Sequence, residues 1–381
     1  MKSWRVLMVS EPGMDGVFTV VDSLVRHIHS NHPEISVDLA YSSQRSGQAL
    51  RDLIGEIERR GDRTIDLKVG NAPRPSDFRA VLDLARLVRE RHPQVVHAHS
   101  SKAGALARIA RLFALVPPVF YSPHAYYGMP RLGGRKEKLF NAIESALGRV
   151  GTTINCSEDE RDFAIHVLRI PPNRLRVVHN GTDTARFAPP DADGKALARA
   201  KLGLPANGKI LITIGRDSPQ KNYAPLYGVL DDLLPDAGWS FAHAGAGSIA
   251  LRDGLRPAAA ARCHGFEHLD DVLPLLHAAD GFVMTSRYEG LSLAMLSALS
   301  CGLPAFLTDV PGFHFLKEFG FDEIAWLPDT SSPENVADAL ETSLRSWAAR
   351  PPEVLTRQRD LVRRLFCSHT QLEKTVALYL S

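Results

Sequence analysis

Short runs of apolar residues alternate with helical patterns along the chain, and this alternation constrains the fold more than any other feature. Arg5–Val9 and Ile210–Ile214 are two such runs, rich in aliphatic and β-branched side chains. Between the runs, segments such as Ser76–Glu90 repeat apolar residues at helical spacing. Continuously apolar strands separated by helices are typical of a parallel sheet that helices cover on both faces.

Two series of this kind occur, and a segment rich in turn-forming residues separates them. Pro189-Pro190 and Asn207-Gly208 lie in that segment. We therefore expect an α/β protein with two doubly wound, Rossmann-like domains that face each other across a cleft. The predicted parts are an N-terminal domain over 1–187, a C-terminal domain over 188–355, and a helix over 356–381 that returns to the N-terminal domain.

The composition excludes several classes of protein. The length of 381 residues suggests two domains or one large barrel. A composition of 44% hydrophobic and 23% charged residues is that of a globular protein. The 45 Lys and Arg residues nearly balance the 43 Asp and Glu residues, so the net charge of +2 does not indicate a nucleic-acid-binding protein. The four cysteines are scattered, which predicts neither a disulfide framework nor a cysteine zinc site.

No apolar run is long enough to cross a bilayer, and the first one is soon interrupted by Glu11, Pro12 and Asp15. We therefore expect no signal peptide and a cytoplasmic protein. The charge is uneven, because residues 1–187 hold 27 Lys and Arg against 20 Asp and Glu, a net charge of +7. Within this basic half, Gly133–Arg149 combines basic and apolar residues, which suits either core packing or peripheral contact with the inner face of a membrane.

Two cations follow the first strand of the second series. Arg216 and Lys221 lie just beyond Ile214, where a strand ends and a helix is about to begin. Ligands of open α/β sheets bind outside the carboxyl ends of the strands. Because an Arg fork and a Lys point charge both bind phosphate oxygens, this pair suits a diphosphate.

A second polar segment follows the predicted strand Gly281–Ser286. Glu289 supplies a carboxylate that can accept hydrogen bonds from sugar hydroxyls, and Gly290 lets the backbone approach a ligand closely. Leu291 and Ser292 open a predicted helix, whose free N–H groups favour an anion.

Taken in order, these and other segments resemble the retaining glycosyltransferases of family four (glycosyl transferases group 1), which have the two-domain GT-B fold. That family includes phosphatidylinositol mannosyltransferase and lipopolysaccharide glucosyltransferases, and the resemblance covers nearly the whole chain. The segments that carry it are Val95–Arg111, Val119–His124, Val177–Asp183, Gly215–Lys221 and Tyr288–Pro304.

The resemblance implies a role for each matching residue. Arg216 and Lys221 would hold the diphosphate of the donor, and Glu289 would contact the transferred sugar. The remaining implied contacts are the N–H groups after Gly290, at Leu291 and Ser292, for the phosphates; Gly16 for close approach of diphosphate and acceptor; His124 beside the reacting carbon; and the backbone of Gly265 and Phe266 for the base.

The resemblance also implies an activity. The protein would transfer a sugar from a nucleotide-diphosphate sugar, most commonly a UDP-sugar, to an acceptor hydroxyl without a metal or other cofactor. The segment His97–Gly104 is most similar to enzymes of bacterial surface polysaccharides, so we expect a lipid-linked glycan as acceptor. One position departs from the family pattern, since Ser297 stands where the family has a second glutamate that grips the ribose.

Other patterns leave alternatives open. Gly245–Ala250 matches a dinucleotide fingerprint with Glu267 as ribose acid, which suggests an NAD-dependent oxidoreductase. A sugar-nucleotide epimerase or a non-catalytic relative of the same fold is also possible.

Three weaker patterns suggest other chemistry. Ser292 with Asp309 and His314 has the order of a hydrolase triad, but the spacing is short. The remaining candidates are a metal site at Cys263, His264 and His268, and a DxD motif at Asp191–Asp193 that we interpret as turn chemistry.

Overall fold

The computed structural model describes residues 4–70, 74–75, 77–113, 117–131, 133–235, 238–321, 324–329, 333–345 and 352–381. The chain divides into two compact units, one of Met1–Asn180 with His369–Ser381 and one of Gly181–Ser368. The division falls a few residues before the expected boundary at 187/188, and the segment that belongs with the first unit begins at His369 rather than at residue 356.

The first unit contains a parallel sheet of seven strands in the order β3-β2-β1-β4-β5-β6-β7. Its strands are β1 Trp4–Ser10, β2 Ile35–Tyr41, β3 Thr64–Asp66, β4 Val95–His99, β5 Val119–Ser122, β6 Thr152–Asn155 and β7 Leu175–Val177. Its first six helices are α1 Asp15–Asn31, α2 Gln48–Arg59, α3 Asp77–Arg91, α4 Ser101–Phe113, α5 Arg135–Leu147 and α6 Glu158–His166.

The second unit contains a parallel sheet of six strands in the order β10-β9-β8-β11-β12-β13. Its strands are β8 Ile210–Ile214, β9 Ser240–Ala244, β10 Cys263–Phe266, β11 Gly281–Met284, β12 Ala305–Thr308 and β13 Ala325–Leu327. Its helices are α7 Ala192–Lys201, α8 Tyr223–Leu233, α9 Ser248–Asp253, α10 Pro257–Ala260, α11 Leu273–Ala278, α12 Leu293–Ser300, α13 Phe315–Glu318, α14 Pro333–Arg345 and α15 Pro352–Phe366.

A last helix, α16 (Ser368–Leu380), follows the second unit but completes the core of the first. Val376 and Tyr379 of α16 lie in one apolar cluster with residues of β1 and α1, such as Val6 and Val21. These four side chains are at most 3% exposed. The helix is therefore held by burial of its apolar face, which sequence periodicity alone does not assign to a partner.

The strands are apolar because helices cover both faces of each sheet. In β1, all four residues from Val6 to Val9 are at most 1% exposed, and in β8 the residues Ile210, Leu211 and Ile212 are fully buried. The expected fold class is thus confirmed, with two doubly wound parallel α/β domains. No helix in the described part of the chain is long and apolar enough to cross a membrane.

Candidate active site

The candidate donor residues of the second unit lie at the switch point of its sheet. Strands β8 and β11 are neighbours, and the chain continues from them towards opposite edges of the sheet. The loops that follow these two strands, residues 215–222 and 285–292, therefore start side by side at the carboxyl edge. In open α/β sheets this is the place where a ligand binds.

An ion pair joins the two loops. Nζ of Lys221 donates to Oε1 of Glu289 at 2.8 Å, and the hydroxyl of Ser286 donates to the same oxygen at 2.7 Å. The side chains of Lys221 and Glu289 are only 17% and 8% exposed. Each charge thus has its counter-charge within the unit, at low solvent exposure, where electrostatic interactions are stronger than in water.

Backbone contacts hold the same two loops together. The side-chain amide of Gln220 donates to the carbonyl of Tyr288 at 3.1 Å, and the N–H of Arg287 donates to the carbonyl of Gln220 at 2.8 Å. Gly312 lies against Glu289 so closely that a Cβ atom at Gly312 would be 2.1 Å from the Glu289 carbonyl oxygen. Only a glycine fits there, so the position of Glu289 is fixed from behind by the loop after β12.

Arg216 lies at the exposed start of the first loop. It follows Gly215, whose φ of +151° favours glycine. The Gly215 carbonyl accepts hydrogen bonds from Nε2 of His243 at 2.6 Å and from the hydroxyl of Tyr223 at 3.1 Å. Burial lowers the pKa of His243, which keeps that imidazole neutral. The backbone that presents Arg216 is therefore fixed, while its guanidinium lies in an exposed part of the surface.

The second loop leads into α12. Gly290, Leu291 and Ser292 are all buried, and the Ser292 hydroxyl caps the helix by accepting a hydrogen bond from the N–H of Met295. Helix α12 begins four residues after Glu289, so that its N-terminal N–H groups belong to the same segment as the carboxylate that binds Lys221. Ser292 was also the candidate nucleophile of the hydrolase pattern. Its role as the cap of α12 explains this serine without a catalytic function.

Ser297 lies one turn further along α12, where the family pattern has its second glutamate. Its hydroxyl is 2.9 Å from the hydroxyl of Thr182, and both residues are buried. Thr182 is held in turn by backbone hydrogen bonds to Phe366 and Ser368. Where the family has a carboxylate, this chain therefore has two neutral hydroxyls, those of Ser297 and Thr182. Thr182 lies at the beginning of the second unit.

Gly265 and Phe266 end β10, two strands away from β8 in the sheet. A Cβ atom on Gly265 would lie 3.0 Å from the backbone of Ser248 and Ile249, so Gly265 lets α9 pack against the strand. The Phe266 carbonyl accepts a hydrogen bond from the N–H of Gly245 at 2.8 Å. The glycine at 265 is therefore explained by packing, and its backbone contact with a base stays a prediction.

The dinucleotide pattern has a different explanation in the structure. The Glu267 carboxylate accepts hydrogen bonds from the N–H groups of Gly247 and Ile249 at 2.8 and 3.0 Å. These two contacts lower the pKa of Glu267. A carboxylate of the chain itself thus occupies the N–H groups that would cradle a pyrophosphate in a dinucleotide site.

In the first unit, three histidines lie at the carboxyl ends of β4 and β5. Nδ1 of His99 is 3.0 Å from Nε2 of His124, and their rings stack with centroids 5.3 Å apart. His97 bonds to the hydroxyls of Ser122 and Tyr379. Burial lowers the pKa of His97 to about 3, that of His124 to about 4, and that of His99 well below its usual value, so all three are neutral near pH 7.

The loop that carries His124 is fixed by a buried carboxylate. His124 and Ala125 both have positive φ, 56° and 107°, which is unusual for residues other than glycine. Glu160 of α6 accepts hydrogen bonds from the N–H of Ala125 at 2.5 Å and from that of Cys156 at 2.7 Å. Nδ1 of His124 is buried and has no hydrogen-bond partner among the described residues.

Gly16 differs from its expected setting. The sequence predicts a loop after β1, whereas Gly16 is exposed in the first turn of α1 and a Cβ atom there would have nothing within 4 Å. The structure therefore gives no packing reason for a glycine at this position. Of the predicted site residues in the second unit, the structure brings Lys221 and Glu289 into contact, and Leu291 and Ser292 follow Glu289 in the same loop. Gly16 and His124 belong to the first unit.

Sequence reasoning missed several residues that shape these sites. Ser286, Thr182 and Tyr379 contact a candidate residue or its neighbour, and no local pattern distinguishes them. Glu160 has a detectable signal, because Ser157 three residues before it caps α6 and forms part of a capping-box pattern.

The weaker metal patterns receive structural explanations. Asp191 caps α7 by accepting a hydrogen bond from the N–H of Gly194 at 2.7 Å, so the DxD motif begins a helix. His268 is exposed and pairs with Asp270, and within the described ranges the metal-compatible cluster is at His27, His32 and Glu373 rather than at Cys263, His264 and His268.

Comparison with known proteins agrees with the division of the chain into two units. Residues 14–186 match the model of the family described as Glycosyltransferase Family 4, and residues 208–346 match that of Glycosyl transferases group 1. The chain is 30% identical over 258 residues to the UDP-Gal:alpha-D-GlcNAc-diphosphoundecaprenol alpha-1,3-galactosyltransferase of Escherichia coli; the match covers 65% of each protein. It is 28% identical to the glycogen synthase of Mycobacterium tuberculosis, over 80% of this chain and 73% of that one.

Solved structures show the same fold at lower identity. HepE of Anabaena, in complex with UDP and glucose, superimposes with a TM-score of 0.77 over 99% of both chains at 16% identity. WaaG, a glycosyltransferase involved in lipopolysaccharide biosynthesis, superimposes with a TM-score of 0.71 over 98% of this chain and 99% of that one, at 15% identity. Both matched families are glycosyltransferases, and these matches do not favour an oxidoreductase or an epimerase. With both sequence matches in order and this fold, the chain belongs to the GT4-type glycosyltransferases of the GT-B fold.

Proposed function

We propose that this chain is a retaining transferase that moves a hexosyl group from a UDP-sugar to a hydroxyl of a lipid-linked glycan in surface polysaccharide assembly. The observation that carries the proposal is the ion pair of Lys221 and Glu289 at the switch point, with the N-terminus of α12 beside it. A cation and a carboxylate in one place suit a ligand that combines a diphosphate with a hydroxyl-rich ring.

The proposed chemistry relies on charge stabilisation. As the bond between the anomeric carbon and the diphosphate oxygen breaks, negative charge builds up on the phosphate. Lys221, Arg216 and the N–H groups at the start of α12 stabilise that charge where it develops. The acceptor oxygen bonds to the anomeric carbon on the face that the diphosphate leaves, and its proton passes to the departing phosphate oxygen. The configuration at that carbon is thereby retained.

Glu289 would orient the sugar. The Glu289 carboxylate can accept hydrogen bonds from sugar hydroxyls while it holds Lys221. Ser297 and Thr182 together would offer the ribose neutral hydroxyls in place of a carboxylate. A neutral hydrogen bond contributes about 1 kcal/mol against about 1.5–3 for one to a charged group, so we expect weak ribose recognition.

Similar proteins support the choice of donor and acceptor. The E. coli relative is named for UDP-Gal and for a diphosphoundecaprenol-linked acceptor, and HepE was solved with UDP. Contact with the cytoplasmic face of a membrane would bring the first unit to such an acceptor, and α5 offers an exposed Leu139 beside Lys136 and Lys138 for it. Neither a metal nor another cofactor is required by the proposed chemistry.

A donor panel with product analysis tests the function. We expect UDP-sugars to raise the melting temperature more than GDP- or ADP-sugars do, and one of them to be transferred to a polyprenyl-diphosphate-linked sugar without added Mg²⁺ or Mn²⁺. Hydride transfer with NADH and no sugar transfer would contradict the proposal.

The Arg216→Ala variant tests the diphosphate contact. Because the guanidinium is exposed and would act mainly on charge in the transition state, turnover should fall by about 10²-fold or more with the melting temperature unchanged. Lys201→Ala, which removes an exposed cation at the end of α7, is the matched control and should transfer normally. Near-normal turnover of Arg216→Ala would remove this assignment.

A further inference from the structure

Two histidines of the first helix and a glutamate of the last helix meet in the first unit. Nε2 of His27, in α1, is 2.7 Å from Oε1 of Glu373 in α16. Nε2 of His32, directly after α1, is 3.1 Å from each oxygen of the same carboxylate. The two histidines are at least 341 positions away from Glu373 in the sequence. In the folded unit, their Nε2 atoms and the carboxylate oxygens, all of which can bind a metal ion, nevertheless meet. The proposed transfer reaction uses none of these side chains.

The spacing of these atoms suits a metal ion. One candidate ligand atom from each of the three residues lies within 4.8 Å of the other two. In a tetrahedral zinc site with bonds of about 2.0–2.1 Å, neighbouring ligand atoms are roughly 3.3 Å apart. The Nε2 and carboxylate atoms would therefore need to separate by only a few tenths of an ångström. Two imidazoles and a carboxylate are a ligand set that zinc uses in proteins.

The surroundings also suit metal ligation. A ligating imidazole usually has a polar partner for its other ring nitrogen. Nδ1 of His32 lies 3.6 Å from the carboxylate of Glu34, which can accept a hydrogen bond from it. Nδ1 of His27 lies 3.2 Å from the amide nitrogen of Asn31, which is a donor, so ligation through Nε2 requires that amide to turn its oxygen towards Nδ1. Both rings are thus oriented from behind, by groups on α1 or just after it.

A fourth ligand is close. His369 precedes Glu373 by four residues in α16, which places both on the same face of that helix. Its ring centroid is 5.1 Å from that of His27, and the side chain is exposed. A change of rotamer would bring an imidazole nitrogen to the fourth position, which otherwise a water molecule would take.

From this arrangement we propose that His27, His32 and Glu373 bind one divalent transition-metal ion of the zinc class, with His369 or water as fourth ligand. Each imidazole binds the ion through Nε2 in its neutral form and keeps its one proton on Nδ1, so a ring that is already neutral changes tautomer and releases no proton. The ion thereby fastens α16 to α1. Since α16 also carries Tyr379, which forms a hydrogen bond with His97 of the histidine group in the first unit, the ion stabilises the helix that supports this group.

Metal content and affinity of the full chain test the proposal. After dialysis against a chelator, we expect one Zn²⁺ per chain to rebind in calorimetry and to raise the melting temperature. Co²⁺ should bind at the same stoichiometry and give the intense visible absorption of a tetrahedral site. Failure of the wild-type protein to bind either ion with a stoichiometry of one overturns the proposal, whatever the transfer activity.

Variants locate the ion. Glu373→Gln and His32→Gln should each weaken Zn²⁺ binding by about tenfold or more and abolish the rise in melting temperature. His166→Gln removes an exposed histidine at the end of α6 and should leave binding unchanged. Wild-type affinity in Glu373→Gln, whose side chain is 39% exposed and therefore easily replaced, would show that the ion binds elsewhere.

Discussion

Lys221 and Glu289 depend on each other for compensation of their charges. Both side chains are largely withdrawn from water, and the hydroxyl of Ser286 is a neutral partner of Glu289. Removal of one member of a buried ion pair leaves the other charge uncompensated. This lowers the free energy of unfolding by more than the intact pair contributes to it. Lys221 and Glu289, two of the residues proposed to bind the donor, are therefore also expected to affect stability.

Comparison of single and double variants separates the two effects. Lys221→Met should lower the free energy of unfolding by about 3 kcal/mol, because the Glu289 carboxylate is left without its cation. The double variant Lys221→Met/Glu289→Gln should regain most of that stability, yet sugar transfer should remain lost. Urea denaturation and a donor-hydrolysis or transfer assay measure the two quantities.

Lys201→Met is the control for this comparison, since it removes an exposed lysine of the same unit and should change neither quantity. A single Lys221→Met variant as stable as the wild-type protein would contradict the importance of the pair.

Among the elements, α6 shows how a helix start can fix a loop in another part of the sheet. Its first turn carries Glu160, fully buried, whose oxygens hold the backbone at Ala125 and Cys156. Burial raises the pKa of Glu160 to about 7, although the two backbone N–H groups act in the opposite direction. The folded state therefore keeps a proton that the unfolded chain releases near pH 4.5.

This shift predicts a pH dependence of stability. Because the folded pKa is raised, the contribution of Glu160 is fully present below about pH 4.5 and is lost as the pH rises through about 7. Glu160→Gln cannot titrate, so from pH 5 to pH 8 its stability should improve relative to that of the wild-type protein by a few kcal/mol, on the order of 1.4 per unit of pKa shift. Urea denaturation at both pH values measures the difference, and a constant difference would contradict the raised pKa.

At the scale of the whole molecule, the sequence predicted the repeating architecture but not the details that depend on distant residues. The strand Ile210–Ile214 was predictable because burial on both faces makes it apolar throughout, whereas three-residue strands such as Thr64–Asp66 and Ala325–Leu327 are too short to show a pattern. Helix α7 lies in a segment that the prolines and glycines suggested to be a linker.

The candidate site was predictable to a similar extent. The sequence placed Arg216, Lys221 and Glu289 directly after predicted strands. In open α/β sheets such positions lie where ligands bind. Their contacts could not be predicted, because Lys221 and Glu289 are 68 residues apart and Thr182 and Ser297 are 115 apart. Such pairs depend on the order of strands and on side-chain packing, which a single sequence does not encode locally.

Removal of the last helix tests the division into units. A chain without residues 369–381 loses Val376 and Tyr379 from the core of the first unit, which should destabilise that unit by roughly 3–6 kcal/mol. The second unit keeps all of its residues and should unfold as before. Thermal unfolding followed by limited proteolysis distinguishes the units, and an unchanged first unit would contradict the assignment of α16.

The position of α16 in the chain also affects folding during synthesis. The ribosome makes the first unit almost completely, then all of the second, and only afterwards the helix whose Val376 and Tyr379 complete the apolar cluster of the first unit. The apolar residues of the first unit that pack with α16 therefore stay exposed until synthesis ends, whereas the second unit can already fold. A chaperone that binds nascent apolar segments would consequently act on the beginning of this polypeptide for longer than on its middle.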